Sequence, residues 1–183
     1  MLVLKGRLLV ATPLLGDPNF ERAVILVLEH NDDGALGVVL NRPTDVELLE
    51  PLPGWNRFAG EPGVVFLGGP VSRNAVIALA RAGDELPTGT WEPVLDRLGV
   101  LDLTTDPDTL GDELDTLRVF AGYAGWGPEQ LEAEIDEGAW YVVDADPGDA
   151  FTHDPQRLWR RVLSRQGGEL ARAATVPDDP RLN

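Results

Sequence analysis

Arg42 and its neighbour Asn41 are the residues of this sequence whose chemistry best suits a binding site. A guanidinium group offers several N–H donors in a fixed fork, which matches the oxygens of a phosphate or a carboxylate. Both residues follow an apolar run, so their side chains are predicted to emerge at the end of a strand. A turn at Gly68 and Gly69 could complete an anion-binding pocket with them. The alternative is a structural salt bridge between Arg42 and Asp17 in the preceding loop.

His30 is the candidate acid–base group. Together with Arg42 and nearby carboxylates it could support an enzyme reaction of unknown type. A metal site would need His30 and His153 to meet, but neither histidine lies in a helical H-E-x-x-H motif. His153 precedes Asp154 and Pro155, which are typical of a helix start, so we interpret it as structural. We predict no catalytic residue, no metal and no cofactor.

The segment 121–135, AGYAGWGPEQLEAEI, has the glycine spacing of a phosphate-binding loop without the other residues that such a loop needs. Gly122 and Gly127 are correctly spaced, but Pro128 and Glu129 occupy the positions of the Lys and the Ser or Thr. We therefore interpret the segment as a buried strand that passes directly into a helix.

Tyr123 and Trp126 of this segment are predicted to pack rigidly where the strand ends. If they line the same cavity as Arg42, they also form a wall of the anion site. The ligand-binding hypothesis therefore comprises Asp17, His30, Asn41, Arg42, Gly68, Gly69, Tyr123 and Trp126.

The net charge of −16 is confined to one part of the sequence. Residues 84–149 include 18 acidic and two basic residues, whereas the remainder contains 13 of each. Such a field repels a phosphate backbone within about 8–10 Å at physiological salt, which argues against autonomous binding of DNA or RNA. We interpret the acidic segment as a solubility feature, with a surface for cations or a basic partner as the alternative.

The composition indicates a globular, cytoplasmic protein. The 183 residues are 43% hydrophobic and could bury about 70% of the surface of the unfolded chain. Cysteine is absent, which suits the cytosol. Lys5 and Arg7 interrupt the first apolar run, which predicts a strand rather than a signal peptide or membrane span. We predict one domain over 1–170 and a poorly ordered tail over 171–183.

Apolar runs separated by turn signals predict an α+β fold on a mixed sheet. The runs AVILVL and LGVVL flank Asn-Asp-Asp-Gly, which is typical of a hairpin, and their continuous apolar character indicates burial on both faces. Strands are predicted at 7–11, 21–30, 35–41, 63–71, 99–105, 117–125 and 139–145. The run 74–83 is compatible with a strand or a helix, and we favour a strand. Helices are predicted at 46–52, 106–114, 128–138 and 154–166. Capping-box spacing of Thr44 and Glu47 predicts the first of these helices, and Gly167 and Gly168 should stop the last.

The last predicted helix separates apolar from basic residues. Its apolar stripe is Leu158, Trp159, Val162 and Leu163, and its basic residues are Arg157, Arg160, Arg161 and Arg165. Core packing with a solvated basic face is the default interpretation. The alternatives are docking onto the acidic segment or onto a second copy of the chain, which leaves a homo-oligomer open, and a minor nucleic-acid contact.

Four blocks of the sequence together resemble the bacterial YqgE/AlgH family. They are GRLLVATPLLGDPNFERAVILVLEHNDDGALGVVLNRP at 6–43, FLGGPV at 66–71, RVFAGYAGWGPEQLEAEI at 118–135 and RLWRRVL at 157–163. The resemblance implies one compact α+β domain on a mixed, partly barrel-like sheet with helices packed outside. The family's motif residues include all eight residues of the ligand-binding hypothesis. Glu129 is a departure, since the family usually has Gly there.

The resemblance implies no known reaction, and some members of the family carry a transcriptional-regulator label without a recognisable DNA-binding module. We predict a non-enzymatic regulatory or adaptor protein that binds a small anionic ligand or a protein partner, away from membranes. The first alternative is an enzyme of unknown reaction that uses His30 and Arg42. Direct action on DNA ranks last, because the chain is acidic and has no helix-turn-helix pattern.

Overall fold

The computed structural model describes residues 3–13, 15–83, 86–87 and 89–175, which form ten β-strands and three α-helices. The strands are β1 Arg7–Ala11, β2 Val24–Asn31, β3 Gly34–Val39, β4 Pro43–Glu47, β5 Val64–Leu67, β6 Val71–Ala82, β7 Trp91–Leu95, β8 Leu98–Leu101, β9 Leu114–Trp126 and β10 Trp140–Asp144. The helices are α1 Gln130–Asp136, α2 Leu158–Gln166 and α3 Gly168–Ala173. This combination of strands and helices is that of an α+β protein, as the sequence predicts.

The strands form one sheet in the order β10-β1-β2-β3-β9-β6-β8-β7, with β5 beside β9 and β4 beside β5. Every strand pairing is antiparallel except that of β5 with β9, so the sheet is mixed. It curls until β2 and β8 share one core. In the part of the chain that the structure describes, the end strands β10 and β7 do not pair with each other. The predicted partly barrel-like sheet is therefore a curled sheet that stays open rather than closing into a barrel.

The hairpin strands β2 and β3 lie inside the sheet and are buried on both faces, as predicted. Successive side chains of a strand point to opposite faces, so those of β2 alternate between two clusters. Leu26 belongs to the cluster inside the curled sheet. Ile25 and Val27 belong to a second cluster, which also contains Leu131 of α1. The continuous apolar pattern thus reflects a strand with a hydrophobic layer on each side.

Helix α2 packs its apolar stripe against the inner cluster, which confirms the default interpretation of its sequence. Trp159 is 3% exposed and Leu163 is fully buried. Burying side chains of this size stabilises a fold by about 1.5–3 kcal/mol each. None of the helices among the described residues is long and apolar enough to cross a membrane.

Gly167 ends α2 with a φ of 73°, a backbone conformation that favours glycine. A further helix follows directly, although the two glycines predict a stop. This helix, α3, includes 171–173, the first residues of the predicted tail. The part of that prediction over 176–183 lies outside the described residues.

The helix predicted at 46–52 is wrong, because strand β4 occupies Pro43–Glu47. The Thr44 hydroxyl donates to the Val65 carbonyl of the neighbouring strand at 2.5 Å. The side chain that would cap a helix therefore holds an edge strand instead. Strand pairing outweighs a local capping signal, since capping is worth only about 1 kcal/mol.

Strand β7 has no clear pattern in the sequence because Pro93 interrupts it. Proline is tolerated on an edge strand, where the missing N–H removes no ladder hydrogen bond. The strand predicted at 99–105 is the short β8. The helix predicted at 106–114 is also corrected, since the structure forms two 3-10 turns there, Pro107–Thr109 and Gly111–Glu113.

Candidate anion-binding cleft

A cleft of about 780 Å³ opens at the surface beside helix α2. Residues of α2 and of the 3-10 turn Pro155–Arg157 line one side, and the turn before β2 contributes to the other. We call it the arginine cleft, and its lining residues are Arg22, Asn41, Asp154, Gln156, Arg157, Trp159, Arg160, Arg161 and Ser164.

Trp159 anchors the cleft to the sheet. Its indole Nε1 donates to the Ala11 carbonyl of β1 at 2.8 Å, which fixes the ring. The guanidinium carbon of Arg22 lies 4.6 Å from a Trp159 ring centroid, and that of Arg160 lies 5.8 Å from one. Both distances are within the range of cation–π attraction. One buried indole therefore positions two of the arginine side chains.

Arg22 has an uncommon backbone conformation, with a φ of 55°. The Asn41 side chain supports this turn, because its amide donates to the Arg22 carbonyl at 2.9 Å. The Asn41 side-chain oxygen also accepts from the Val24 N–H at 3.1 Å. Non-glycine residues in this backbone region cost on the order of 1–3 kcal/mol and are concentrated at functional sites. Asn41 thus acts in the cleft as a support for Arg22.

Among the residues that the structure describes, those that line the cleft include four arginines and one carboxylate. That carboxylate, Asp154, lies 3.4 Å from Nε of Arg157, and both side chains are at least half exposed. Arg161 donates to the Thr152 hydroxyl at 2.5 Å. Arg160 donates to a backbone carbonyl just after α3. The cleft is therefore a concentration of positive charge in a chain with a net charge of −16.

Arg42 lies outside the arginine cleft and braces the loop before β2. Its guanidinium donates to the backbone carbonyls of Asn19 and Glu21, the latter at 3.0 Å. Burial lowers the pKa of Arg42, and the charges of Glu21 and Asp17 oppose this shift. The Asp17 carboxylate accepts from the Asn19 N–H at 2.8 Å. Among the described residues, the predicted Arg42–Asp17 salt bridge does not form.

Gly68 and Gly69 pass very close to β9. A Cβ atom on Gly68 would lie 2.4 Å from the carbonyl oxygen of Gly122, and one on Gly69 would lie 2.2 Å from the backbone of Tyr123. The Gly68 N–H donates to β9 at 2.8 Å, and its oxygen accepts from β3 at 2.9 Å. These glycines therefore serve strand packing, and Tyr123 packs against the inner cluster.

His30 links three parts of the fold. Its Nδ1 accepts from the Leu4 backbone N–H at 3.2 Å, so the ring proton lies on Nε2, which donates to the Glu132 carboxylate of α1. The His30 side chain is 1% exposed. The hydrogen bond from His30 lowers the pKa of Glu132. Across the described residues, no group of three or more His, Asp or Glu side chains could hold a metal ion.

Trp126 packs at the end of β9, in the way that the sequence predicts. Its ring meets that of Trp140 edge to face, with 6.2 Å between centroids. A single carboxylate oxygen of Glu134 accepts from both indoles, at 3.2 Å from Trp126 and 3.1 Å from Trp140. Glu134 thereby holds α1 against the sheet.

Of the eight residues in the ligand-binding hypothesis, Asn41 lines the arginine cleft and the other seven do not. The structure instead brings Arg22 together with the arginines of α2 and the turn before it. The sequence signal for this site is RLWRR at 157–161, a basic face in an acidic chain. The contribution of Arg22 has no sequence signal, because the fold brings distant segments together.

The fold and the cleft define the class of this protein: an α+β protein with an open, curled, mixed sheet and a basic cleft beside α2. The AlgH-like family model matches residues 8–171. The chain belongs to this family, which confirms the resemblance found in the sequence. No specific function is established for the family.

Relatives align over nearly the full chain. A UPF0301 protein from Streptomyces avermitilis is 56% identical, covering 98% of this chain and 95% of its own length. A UPF0301 protein from Thermobifida fusca is 50% identical, and the alignment covers 100% of this chain and 96% of that protein. The crystal structure of a protein from Corynebacterium diphtheriae has a TM-score of 0.89 at 29% identity, covering 96% of this chain and 93% of that one. The solution structure of the AlgH protein from Pseudomonas aeruginosa has a TM-score of 0.71 at 30% identity, and the match covers 97% of this chain and 96% of that one.

Proposed function

We propose that this protein is a non-enzymatic, cytoplasmic regulatory protein that binds a small anionic ligand in the arginine cleft. The observation that supports the proposal is the gathering of four arginines among the described lining residues, in a chain with a net charge of −16. A guanidinium group can donate several hydrogen bonds to the oxygens of a phosphate or a carboxylate, which suits a ligand of this charge. The volume of about 780 Å³ is within the usual range of small-molecule sites, roughly 300–1,000 Å³.

The geometry supports an enzyme less well. Both ring nitrogens of His30 are engaged in hydrogen bonds, and Arg42 donates to the carbonyls of a loop. His30 and Arg42, the two residues proposed for acid–base chemistry, are thus engaged in hydrogen bonds that hold the fold. The lining residues that the structure describes include no histidine and one carboxylate, Asp154, so they offer few groups for general acid–base catalysis.

A protein partner with an acidic segment is the second candidate. It is favoured by the exposure of the basic face, since the side chain of Arg157 is 82% exposed. Direct regulation through DNA is the weakest candidate, because the net charge of −16 opposes approach to a phosphate backbone. A gel-shift titration at about 150 mM salt tests it, and retention of only specific sequences would favour DNA binding over our proposal.

A thermal-shift screen against carboxylates, phosphates and sulfates at constant ionic strength tests ligand binding in the cleft. A ligand present at about 100 times its Kd should stabilise the protein by about 2.7 kcal/mol, which is about 5–10 °C in Tm for a chain of this length. Arg161→Gln should remove most of this shift. Arg172→Gln is the matched control, because Arg172 is exposed on α3 and does not line the cleft.

Two results would contradict the proposal. One is a screen in which no anion raises the Tm of the wild-type protein. The other is a shift that Arg161→Gln and Arg172→Gln reduce equally, because a general effect of positive charge would then explain it.

A further inference from the structure

We propose that a second pocket of this protein binds a zwitterionic α-amino acid with an apolar side chain, such as leucine. The pocket has a volume of about 160 Å³, and residues of β2, β3, β6, β7 and β8 line it. Among the described residues, it shares no lining residue with the arginine cleft. The inference is therefore independent of the proposed anion site and adds a further ligand.

This second pocket, which we call the aliphatic pocket, extends the hydrophobic core to the surface. Its aliphatic lining residues are Leu28, Leu36, Ile77, Val94 and Val100. Leu28 is 4% exposed and belongs to the inner cluster, and the other four are half-buried and pack against that cluster. A cavity of about 150 Å³ lined by such side chains can hold a molecule of the size of benzene. The aliphatic pocket therefore suits one leucine or phenylalanine side chain.

Strand pairing places a carboxylate beside an aliphatic side chain at two points of the lining. Glu29 of β2 is the cross-strand neighbour of Leu36 in β3, and Glu92 of β7 is that of Val100 in β8. Directly paired residues have their side chains on the same face of a sheet. Both glutamates line the aliphatic pocket and are exposed, so they mark its solvent end.

Lys5 supplies the opposite charge at the same pocket. Its backbone runs beside β2, because the N–H of the next residue, Gly6, donates to the Val27 carbonyl at 2.9 Å. Among the residues that the structure describes, Lys5, Glu29 and Glu92 form no ion pair with one another. Charged groups of both signs are therefore available to a ligand in the aliphatic pocket.

An α-amino acid is a ligand that uses all of these groups. Its ammonium group has three N–H donors for the two glutamate carboxylates, and its own carboxylate accepts from the Lys5 ammonium group. Its apolar side chain leaves water for the aliphatic lining, which favours binding. A simple amine would not use Lys5, and a simple carboxylate would not use Glu29 or Glu92.

Titration of the isotope-labelled full chain, followed by amide correlation spectra in nuclear magnetic resonance, tests the inference with four probes: leucine, glycine, isoamylamine and isocaproate. Leucine should shift the amide signals of Leu36, Ile77 and Val100 until they saturate. Glycine lacks the apolar side chain and should bind at least about tenfold more weakly. Isoamylamine lacks the carboxylate and isocaproate lacks the amine, so each should also bind at least about tenfold more weakly than leucine.

Substitutions that remove one charge test the rim of the aliphatic pocket. Glu92→Gln and Lys5→Gln should each weaken leucine binding by about tenfold or more. Glu137→Gln and Arg172→Gln are the matched controls and should leave the affinity unchanged, because both residues are exposed and neither lines this pocket. All four substitutions are at exposed positions, and the same spectra show whether each variant is folded.

Four results would overturn the inference. If isoamylamine binds as tightly as leucine, the ligand class is an amine and the amino-acid assignment is wrong. If Glu92→Gln and Glu137→Gln weaken binding equally, the acidic surface in general explains the effect. Shifts confined to the signals of Arg22 and Trp159 would place leucine in the arginine cleft. A titration in which no probe gives saturable shifts would refute the site itself, whether or not an anion binds in the arginine cleft.

Discussion

Glu129 has a left-handed backbone conformation in the turn between β9 and α1, with a φ of 63° and a ψ of −2°. Its side chain is exposed, so little packing would be lost with it. A Cβ atom in this backbone region costs about 1–2 kcal/mol, and glycine avoids that cost. Glycine, however, loses more conformational entropy on folding than a residue with a side chain, which costs about 0.5–1 kcal/mol of stability. Glu129→Gly should therefore stabilise the protein by about 0.5–1 kcal/mol.

Urea unfolding followed by tryptophan fluorescence measures this change. The midpoint should rise with an unchanged slope, and the Tm should increase by about 1–4 °C. The same glycine is the residue that the family resemblance leads us to expect at this position. The substitution should leave the backbone hydrogen bond from the Ala133 N–H to the carbonyl of residue 129 in place.

Two control variants separate backbone strain from other effects. Glu129→Ala removes the negative charge beside other acidic residues but keeps the Cβ atom, so it should give little stabilisation. Glu137→Gly places glycine at the exposed C-cap of α1, where φ is −79°, and the greater loss of backbone entropy should destabilise the protein by a few tenths of a kcal/mol to about 1 kcal/mol. If Glu129→Ala stabilises as much as Glu129→Gly, relief of charge repulsion is the cause and the strain argument is refuted.

Substitutions at three further residues test the contacts that hold the fold. Glu134→Ala should cost about 2 kcal/mol or more in urea unfolding, because it leaves two indole N–H groups without their acceptor, whereas Glu134→Gln should cost less. Arg118 is 2% exposed, burial lowers its pKa to about 10, and its guanidinium donates to the carbonyls of two loops. Arg118→Ala should therefore lower the free energy of unfolding by about 2–5 kcal/mol, and a loss below 1 kcal/mol would show that these hydrogen bonds are dispensable. Because the hydrogen bond from His30 lowers the pKa of Glu132, ionised Glu132 stabilises the fold above its ordinary pKa of 4.5, and this contribution is lost as the pH falls through the lowered pKa. Glu132→Gln should flatten the acid side of the stability–pH curve, and an unchanged curve would contradict the assignment.

Much of the fold could be predicted because its signals are local. The strand at 7–11, the hairpin of β2 and β3, and the passage from β9 into α1 all follow from apolar runs bounded by turn residues. The edge strands β4 and β7 could not be predicted this way. A capping-box spacing and an internal proline indicate other structures there, and pairing with a neighbouring strand decides the outcome.

The candidate site was less predictable than the fold. The sequence groups Asn41 with Arg42 and the turn at Gly68 and Gly69, whereas in the structure its side chain binds the backbone of Arg22. Arg22 lies before β2 and Arg42 lies before β4, and the sequence around them does not reveal which guanidinium lines the cleft. The direction of each side chain depends on the loop carbonyls that Arg42 binds and on the indole beneath Arg22.

By itself, the sequence determined the α+β class, the family, the segregation of acidic from basic residues and the failure of known phosphate-loop motifs. These properties depend on residue types and on neighbours within a few positions. The tertiary structure alone decided that the sheet stays open and that Trp159 meets Ala11, 148 residues away in the chain. It also decided that Arg22 joins the arginines of α2 in one cleft. Such contacts depend on how the whole sheet curls, and no local pattern of residues specifies that geometry.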